Sequence, residues 1–267
     1  MNETFVGLES WTELALEHQT YTVVDVETTG VGEDDAVVEF ALVKFVRGRL
    51  RERFSALIDP GIEIPAAASA VHLLRDAHVA GRPTLADYAD DIVEFAGESM
   101  LVAHNAEFDR SYLPMLSGRP WICTLRLARH LLPDAAAYKN SVLRYLLKLD
   151  DAYDLSTLIP HRAEADAIVT GYLLQHLLRL MREQAWTLER VAEISWSLIP
   201  VTRLNYGSKF RGALISTVEE GYLSWMMGEM LKPKHQRRIN VDRDTLEAVA
   251  AELGRRVFAR TTFLKAS

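Results

Sequence analysis

An α/β domain on a mixed β-sheet, followed by a small C-terminal module, is the fold class this sequence predicts. Two observations lead there: β-rich runs fill residues 21–60, and helical and strand-like segments alternate after them as far as Met181. A third is composition. Hydrophobic residues make up 49% of the 267-residue chain and charged residues 25%, the make-up of a globular protein with material for a core.

The first strand is "YTVVDVE" (Tyr21–Glu27), and "TTG" with the following Gly32 forms its exit turn. "AVVEFALVKFV" and "LRERFSALIDP" are two further β-runs joined tightly at Arg47–Arg49, a meander that Pro60 and Gly61 end. "PTLADYADDIVEFAG" then places Leu85, Tyr88, Ala89, Ile92 and Ala96 on one helical stripe, with Gly97 as the stop. "SMLVAHN" is a short apolar strand, and "AEFDRSYLPML" opens a helix with Asn105 as its N-cap. "WICTLRLARHLL" passes from strand to helix. In "HRAEADAIVTGYLLQHLLRLM" a helical face holds Ala165, Ile168, Val169, Tyr172 and Leu173. A further helix and a connector broken at Pro200 follow. The expected division is an α/β domain over 18–182, a helical connector over 183–200 and a compact module over 201–267.

The formal net charge of −7 disfavours unspecific nucleic-acid binding by the chain as a whole. It is unevenly spread. Residues 199–267 carry 12 Lys and Arg against 7 Asp and Glu, whereas residues 1–198 carry 18 against 30. An acidic front suits a solvated surface or a carboxylate cluster for divalent metals. One cysteine, Cys123, excludes an internal disulfide and a cysteine-based zinc site. The N-terminal segment has no signal-peptide pattern, and no apolar stretch reaches the ~20 residues of a membrane helix, so a cytoplasmic protein is expected.

Asp25 and Glu27 stand two apart in a run that otherwise reads as buried strand. Residues so spaced share a strand face, so the carboxyls converge and disfavour each other's ionised form. Either that face is open to solvent or a cation belongs there. Asp109 falls in the first turn of the helix after "LVAHN", and Asp166 early in the long helix beginning near His161. In open α/β sheets the strand ends and adjoining helix starts form the crevice that takes ligands. Four carboxylates from three segments can meet there. Taken singly, each has a plainer use, as a wet strand face or an acid favouring its helix N-terminus. Likewise His72 and His104 read alone as loop or core histidines.

Order and local context change that balance. "VVDVETTG", "AHNAEFD" and "HRAEAD", the last of the form H-x-A-x-x-D, resemble in sequence the three motifs of the DnaQ-like 3′→5′ exonuclease superfamily. The branch is DEDDh, named for four acids and a histidine. "WICTLRLARHLLP", "YKNSVLRYLLKL" and, in the tail, "YGSKFRGALISTVEEGYLSWMM" resemble the bacterial exodeoxyribonuclease X family within it. The resemblance implies a ribonuclease H-like exonuclease fold for the first domain. It implies metal binding by Asp25, Glu27, Asp109 and Asp166, with His161 as general base, all five being catalytic. Thr28, Thr29 and Gly30 are implied to contact the 3′ nucleotide; Asn105 and Phe108 are further candidate substrate contacts, Asn105 with helix capping and Phe108 with a place in the core as the plainer use. Where relatives have a His-Gly-Ile-Thr stretch, "AVHLLRDA" keeps only His72. Ser208 and Ala213 replace lysines of the related tail, while Gly207 and Gly212 are retained.

These residue types suit phosphodiester hydrolysis. Two Mg²⁺ ions, or Mn²⁺ in their place, about 3.5–4 Å apart stabilise the attacking and leaving oxygens of an in-line displacement, and hard cations prefer carboxylate oxygen. With an ordinary pKa near ~6.5, a histidine can be neutral at cellular pH and accept a proton from water. His161 precedes Asp166 by five residues, not a same-face helical spacing, so it is expected on a mobile lead-in. The expectation is a two-metal 3′→5′ exodeoxyribonuclease that releases nucleoside 5′-monophosphates in DNA repair or replication. DNA 3′ ends are its partner ahead of RNA, with a repair or replication protein as a further partner. One alternative is a 3′→5′ exoribonuclease, which differs by its handling of the 2′-OH. Another is a polymerase-associated proofreading or binding subunit, which has no need of five reactive groups. In the tail, Lys209, Arg211, Arg237 and Arg238 are candidates for holding phosphates.

Overall fold

A computed structural model describes residues 19–181, 187–204, 208–231 and 243–266, the last stretch by backbone alone from 260 onward. Its residues divide into two compact units, one ending at Ser197 and one starting at Leu198.

The first unit carries one five-stranded sheet, in the order β3-β2-β1-β4-β5. Its strands are β1 (Thr20–Thr28), β2 (Val37–Val46), β3 (Arg49–Leu57), β4 (Met100–Ala103) and β5 (Trp121–Cys123). The first three form an antiparallel meander, while β4 runs parallel to β1 and β5 parallel to β4. This is the mixed sheet the sequence predicts. Arg47 and Gly48 join β2 to β3, both with positive φ (54° and 68°), the two-residue turn whose twist matches that of the strands. Edge strand β3 is largely polar and exposed, with Arg49, Arg51, Glu52 and Arg53 discouraging pairing with another chain.

Nine helices accompany the sheet among the described residues of this unit. They are α1 (Ala66–His72), α2 (Asp76–Val79), α3 (Ala89–Ala96), α4 (Ala106–Tyr112), α5 (Thr124–Leu131), α6 (Asn140–Leu146), α7 (Leu149–Ala152), α8 (Ala163–Leu180) and α9 (Leu188–Trp196). The α3 stripe opens as a 3₁₀ turn, Ala86–Tyr88, and stops at Gly97 (φ 51°).

Alternation along β1 decides what each sheet face meets. Tyr21 and Val23, with Val43 and Phe45 of β2, lie in the core under α8. Val24 and Val26, with Phe40 and Leu42, lie in a second core with Ile92 of α3 and Ala106 of α4. Asp25 and Glu27 share the parity of Tyr21 and Val23, and so continue the α8 face. Helix α8 departs from a one-faced reading, since Ala163, Ala167, Leu174, Leu177 and Leu178 are buried along with Ala165, Ile168, Val169 and Leu173 of the expected stripe, Tyr172 being half-buried. The sheet covers one side of it, and α5 and α6 pack against it as well.

The α8–sheet contact is close. A Cβ on Gly171 would fall 2.2 Å from the Phe45 ring, so only glycine fits there. Phe45 stacks on Tyr21 with ring centroids 5.1 Å apart. The Tyr21 hydroxyl donates to the Gly171 carbonyl (3.3 Å) and accepts from Gln175 Nε2 (3.1 Å).

The second unit has its own core of Leu204, Ile215, Val218, Leu223, Met226, Met230 and Val249. It contains α10 (Glu220–Met230) and α11 (Arg243–Ala266). Lys209 lies 4.7 Å above the Phe210 ring and pairs with Glu219 at 3.3 Å. Gly207, Arg237 and Arg238 lie outside the described residues. No described helix is long and apolar enough to cross a membrane.

Candidate active site

Where β1 leaves the sheet, Asp25 and Glu27 project on the α8 side, and a register shift against β2 follows between Glu27 and Thr28. Helix α4 brings in Asp109, only 2% exposed, whose Oδ1 accepts the Val26 amide proton at 3.1 Å. That bond ties the third acid to the residue between the first two. Asn105 stands at the N-cap position of α4, but in the left-handed region (φ 71°) and without a side-chain capping bond. Its expected capping role is therefore not filled. Asparagine tolerates this backbone better than most residues, which allows the tight passage from β4 into α4.

Asp166 sits in the first turn of α8, and its Oδ2 accepts from the backbone amide of His161 at 3.1 Å. His161 is exposed, has a φ of 60°, and lies two residues ahead of the helix start. It stands on the lead-in to the helix, as expected, with its backbone fastened to Asp166. One ligand atom each from Glu27, His161 and Asp166 lie within 4.8 Å of one another. Asp25 feels the charges of Asp109, Asp166 and Glu27 together, so the four acids from three segments share one neighbourhood.

The electrostatics are those of a site short of positive charge. Burial, then Asp109, Asp166, Glu27 and Glu39 in turn, push the Asp25 carboxyl well above the usual carboxylate range. Glu27 is pushed up to about 8, by burial first and then by Asp166, Glu39 and Asp109, with Arg162 opposing. Burial pushes Asp109 up to about 8 against the bond from the Val26 amide. Asp166 is raised by burial, against the bond from His161. Converging carboxyls of this kind are neutralised either by protons or by cations. A donor set of carboxylate oxygens with one imidazole beside them fits hard divalent ions.

The exit turn is held by its own side chains. Thr28 Oγ1 donates to the Gly30 carbonyl (2.5 Å), and Thr29 Oγ1 donates to Asp35 Oδ1 (2.8 Å) while accepting from the Ala36 amide (3.0 Å). Both threonines are buried, and their hydroxyls are spent on holding the turn. A Cβ on Gly30 would lie 2.5 Å from the Asp35 carboxylate, so a side chain there would have to push that carboxylate from its bonds to Thr29 and the Gly32 amide. The Tyr112 hydroxyl donates to the carbonyls of Gly30 (3.2 Å) and Gly32 (3.0 Å), fastening the turn to α4. Phe108 packs on Tyr112, ring centroids 4.9 Å apart, and both line a cleft of about 710 Å³ with Val31, Asp35, Leu85 and Pro114.

Hydrogen bonds hold His104 and one side of the His72 ring. His104 bonds Thr124 Oγ1 (3.0 Å) and the Tyr138 carbonyl (2.7 Å), and burial lowers its pKa to about 4. The Nδ1 of His72 accepts from the Leu74 amide (3.1 Å). Sequence reasoning passes over Glu39, Arg162, Asp35 and Tyr112. For Glu39 a signal was present, a lone acid inside the apolar run of β2. The other three are ordinary polar residues whose use depends on distant partners.

Residues 22–174 match the family described as Exonuclease (RNase_T). Exodeoxyribonuclease 10 of Escherichia coli (strain K12) is 35% identical over 211 residues, 78% of this chain and 90% of that protein. PolC-type DNA polymerase III of Bacillus subtilis (strain 168) is 34% identical over 174 residues, 61% of this chain but 12% of that protein. Among solved structures, exonuclease X in complex with 5′ overhanging duplex DNA superposes with a TM-score of 0.54 at 32% identity, over 66% of this chain and 99% of that one.

Proposed function

The chain belongs to the Exonuclease family, and from that premise we propose that it hydrolyses phosphodiester bonds at DNA 3′ ends, releasing nucleoside 5′-monophosphates in repair or replication. The family is divalent-metal dependent. The observation that carries the reading is that Glu27, His161 and Asp166 bring ligand atoms within 4.8 Å of one another, with the charges of Asp25 and Asp109 felt beside them. DNA is favoured over RNA by the likeness to exodeoxyribonuclease 10, which spans most of both chains. A cytoplasmic location and a repair or replication partner complete the proposal.

In this reading Asp25, Glu27, Asp109 and Asp166 hold two Mg²⁺ ions, with Mn²⁺ as a substitute. Such a pair supplies charge neutralisation on the attacking and leaving oxygens of an in-line displacement. His161 accepts a proton from the attacking water, with a ring nitrogen beside the Glu27 and Asp166 carboxyls and its backbone held by Asp166. The water oxygen bonds to phosphorus and the 3′-oxygen of the preceding nucleotide leaves. Thr28, Thr29 and Gly30 present backbone to the terminal nucleotide, Asn105 contacts it from the start of α4, and Phe108 offers an aromatic face. Lys209 and Arg211 in the second unit hold phosphates of the strand.

A time course on 3′- and 5′-labelled DNA and RNA oligomers with Mg²⁺ tests the proposal. Stepwise shortening of DNA from the 3′ end, stopped by EDTA and restored by excess Mg²⁺, is expected. Full turnover in chelator, shortening from the 5′ end, or a preference for RNA would each overturn the corresponding part. His161→Ala should lower kcat by about 10²-fold or more, the usual contribution of a positioned base. Mg²⁺ half-saturation should move little.

A further inference from the structure

Glu39 is a buried acid that no step above uses. It lies on β2 directly across from Glu27 and is 5% exposed. As a fifth negative charge it adds to the upward push on Asp25 and Glu27. Its oxygens are taken up by the segment that leads into α8. Arg162 Nε lies 3.0 and 3.2 Å from the two oxygens, Arg162 Nη2 lies 2.5 Å from Oε1, and the Ala163 amide donates to Oε2 at 3.0 Å. A two-pronged guanidinium–carboxylate pair fixes orientation as well as distance. The Ala163 bond adds an acid at the helix N-terminus.

The residue just before this grip is His161. On its other side its own amide is fastened to Asp166. Between the two anchors His161 adopts a φ of 60°, the left-handed region that histidine enters more readily than most residues. No hydrogen bond to the His161 ring is needed for this. The backbone on each side determines where the ring can reach.

We propose that Glu39, acting through Arg162 and Ala163, is the positioning residue that holds His161 within range of the attacking water. The inference rests on the reading of His161 as the general base. It makes Glu39 and Arg162 matter to the reaction through the backbone they hold.

A double-mutant cycle in the full chain tests it. Arg162→Lys keeps the charge but loses the two-pronged fit, and the Arg162 side chain is 40% exposed, so the fold tolerates the change. Glu39→Gln is the second variant, with melting curves confirming that each protein is folded. Each change alone should lower kcat on a 3′-labelled DNA oligomer by about tenfold, the scale of a small misplacement of a reacting group. For Arg162→Lys, KM and the Mg²⁺ concentration for half-maximal rate should stay within about twofold. In a His161→Ala background the same changes should cost nothing further, because the group they position is gone. Equal losses in both backgrounds, or none in either, overturn the inference alone. A His161→Ala enzyme with unimpaired kcat overturns the base assignment and the inference together.

Discussion

Asp25 is pressed by three other carboxyls and by Glu39. A charge in that position opposes folding of the cation-free protein and serves only once countercharge arrives. Asp25→Asn keeps the shape of the side chain and removes the charge. Activity should fall by about 10³-fold or more, while in chelator above pH 7 the variant should melt at or above the temperature of the wild type. A destabilised Asp25→Asn protein would show that the acid is paired in the empty site after all. Asp109 behaves differently, because its Oδ1 also satisfies the buried Val26 amide. Asp109→Ala leaves that donor without its partner at a cost of about 1–3 kcal/mol. Chemical denaturation should therefore separate the two acids, with only the Asp109 variant weakened.

Elements carry these residues to one another, and α8 does most of it. Its first turn holds Asp166, and its middle is seated on the sheet by the glycine at 171 against Phe45. A methyl group there has nowhere to go without moving the helix or the ring. Gly171→Ala should destabilise the protein by about 1–3 kcal/mol, the range for overpacking a core, and should also lower kcat by displacing Asp166. Adding Phe45→Leu, which removes the ring the methyl would strike, should return part of both losses. Thermal melts and kinetics on the two proteins check this, and additive losses would place the strain elsewhere. The short α4 does similar work from the other core, fastening Tyr112 to the exit turn and Asp109 to β1.

For the molecule as a whole, the raised carboxyls make stability depend on pH in an unusual direction. Free carboxylates titrate near ~4, whereas Glu27 and Asp109 sit at about 8. Between those values the folded chain keeps protons that the unfolded chain has released, so stability falls as pH rises. In chelator, the melting temperature should therefore be lower near pH 8 than near pH 5, and Mg²⁺ should restore it most at the higher pH. A cation-free protein that is more stable at pH 8 would contradict the cluster. The second unit bears on binding. A chain ending at Ser197 should bind DNA more weakly, with a shallower dependence on salt, since phosphate contacts set that slope. An unchanged slope would remove Lys209 and Arg211 from the interface.

How much of this was legible beforehand follows from what each feature depends on. The meander, the alternating elements and the pairing of Asp25 with Glu27 are local, and β1 runs from Thr20 to Thr28 around the run read as a strand. Asp109 and Asp166 could be placed at helix starts from the local helical pattern, and their order then matched a family pattern. Asn105 shows where local reasoning stops, since its left-handed backbone displaced the cap its residue type suggests. Glu39 shows the same for a partner, because it grips Arg162, 123 positions away, through side chains that no window of sequence joins. The pattern of apolar and acidic residues by itself determined which elements form and which acids end them, since both depend on short-range periodicity. Only the tertiary structure decided that the acids lie close enough to raise one another's pKa and that His161 is held from both sides, because proximity between distant segments is created by packing.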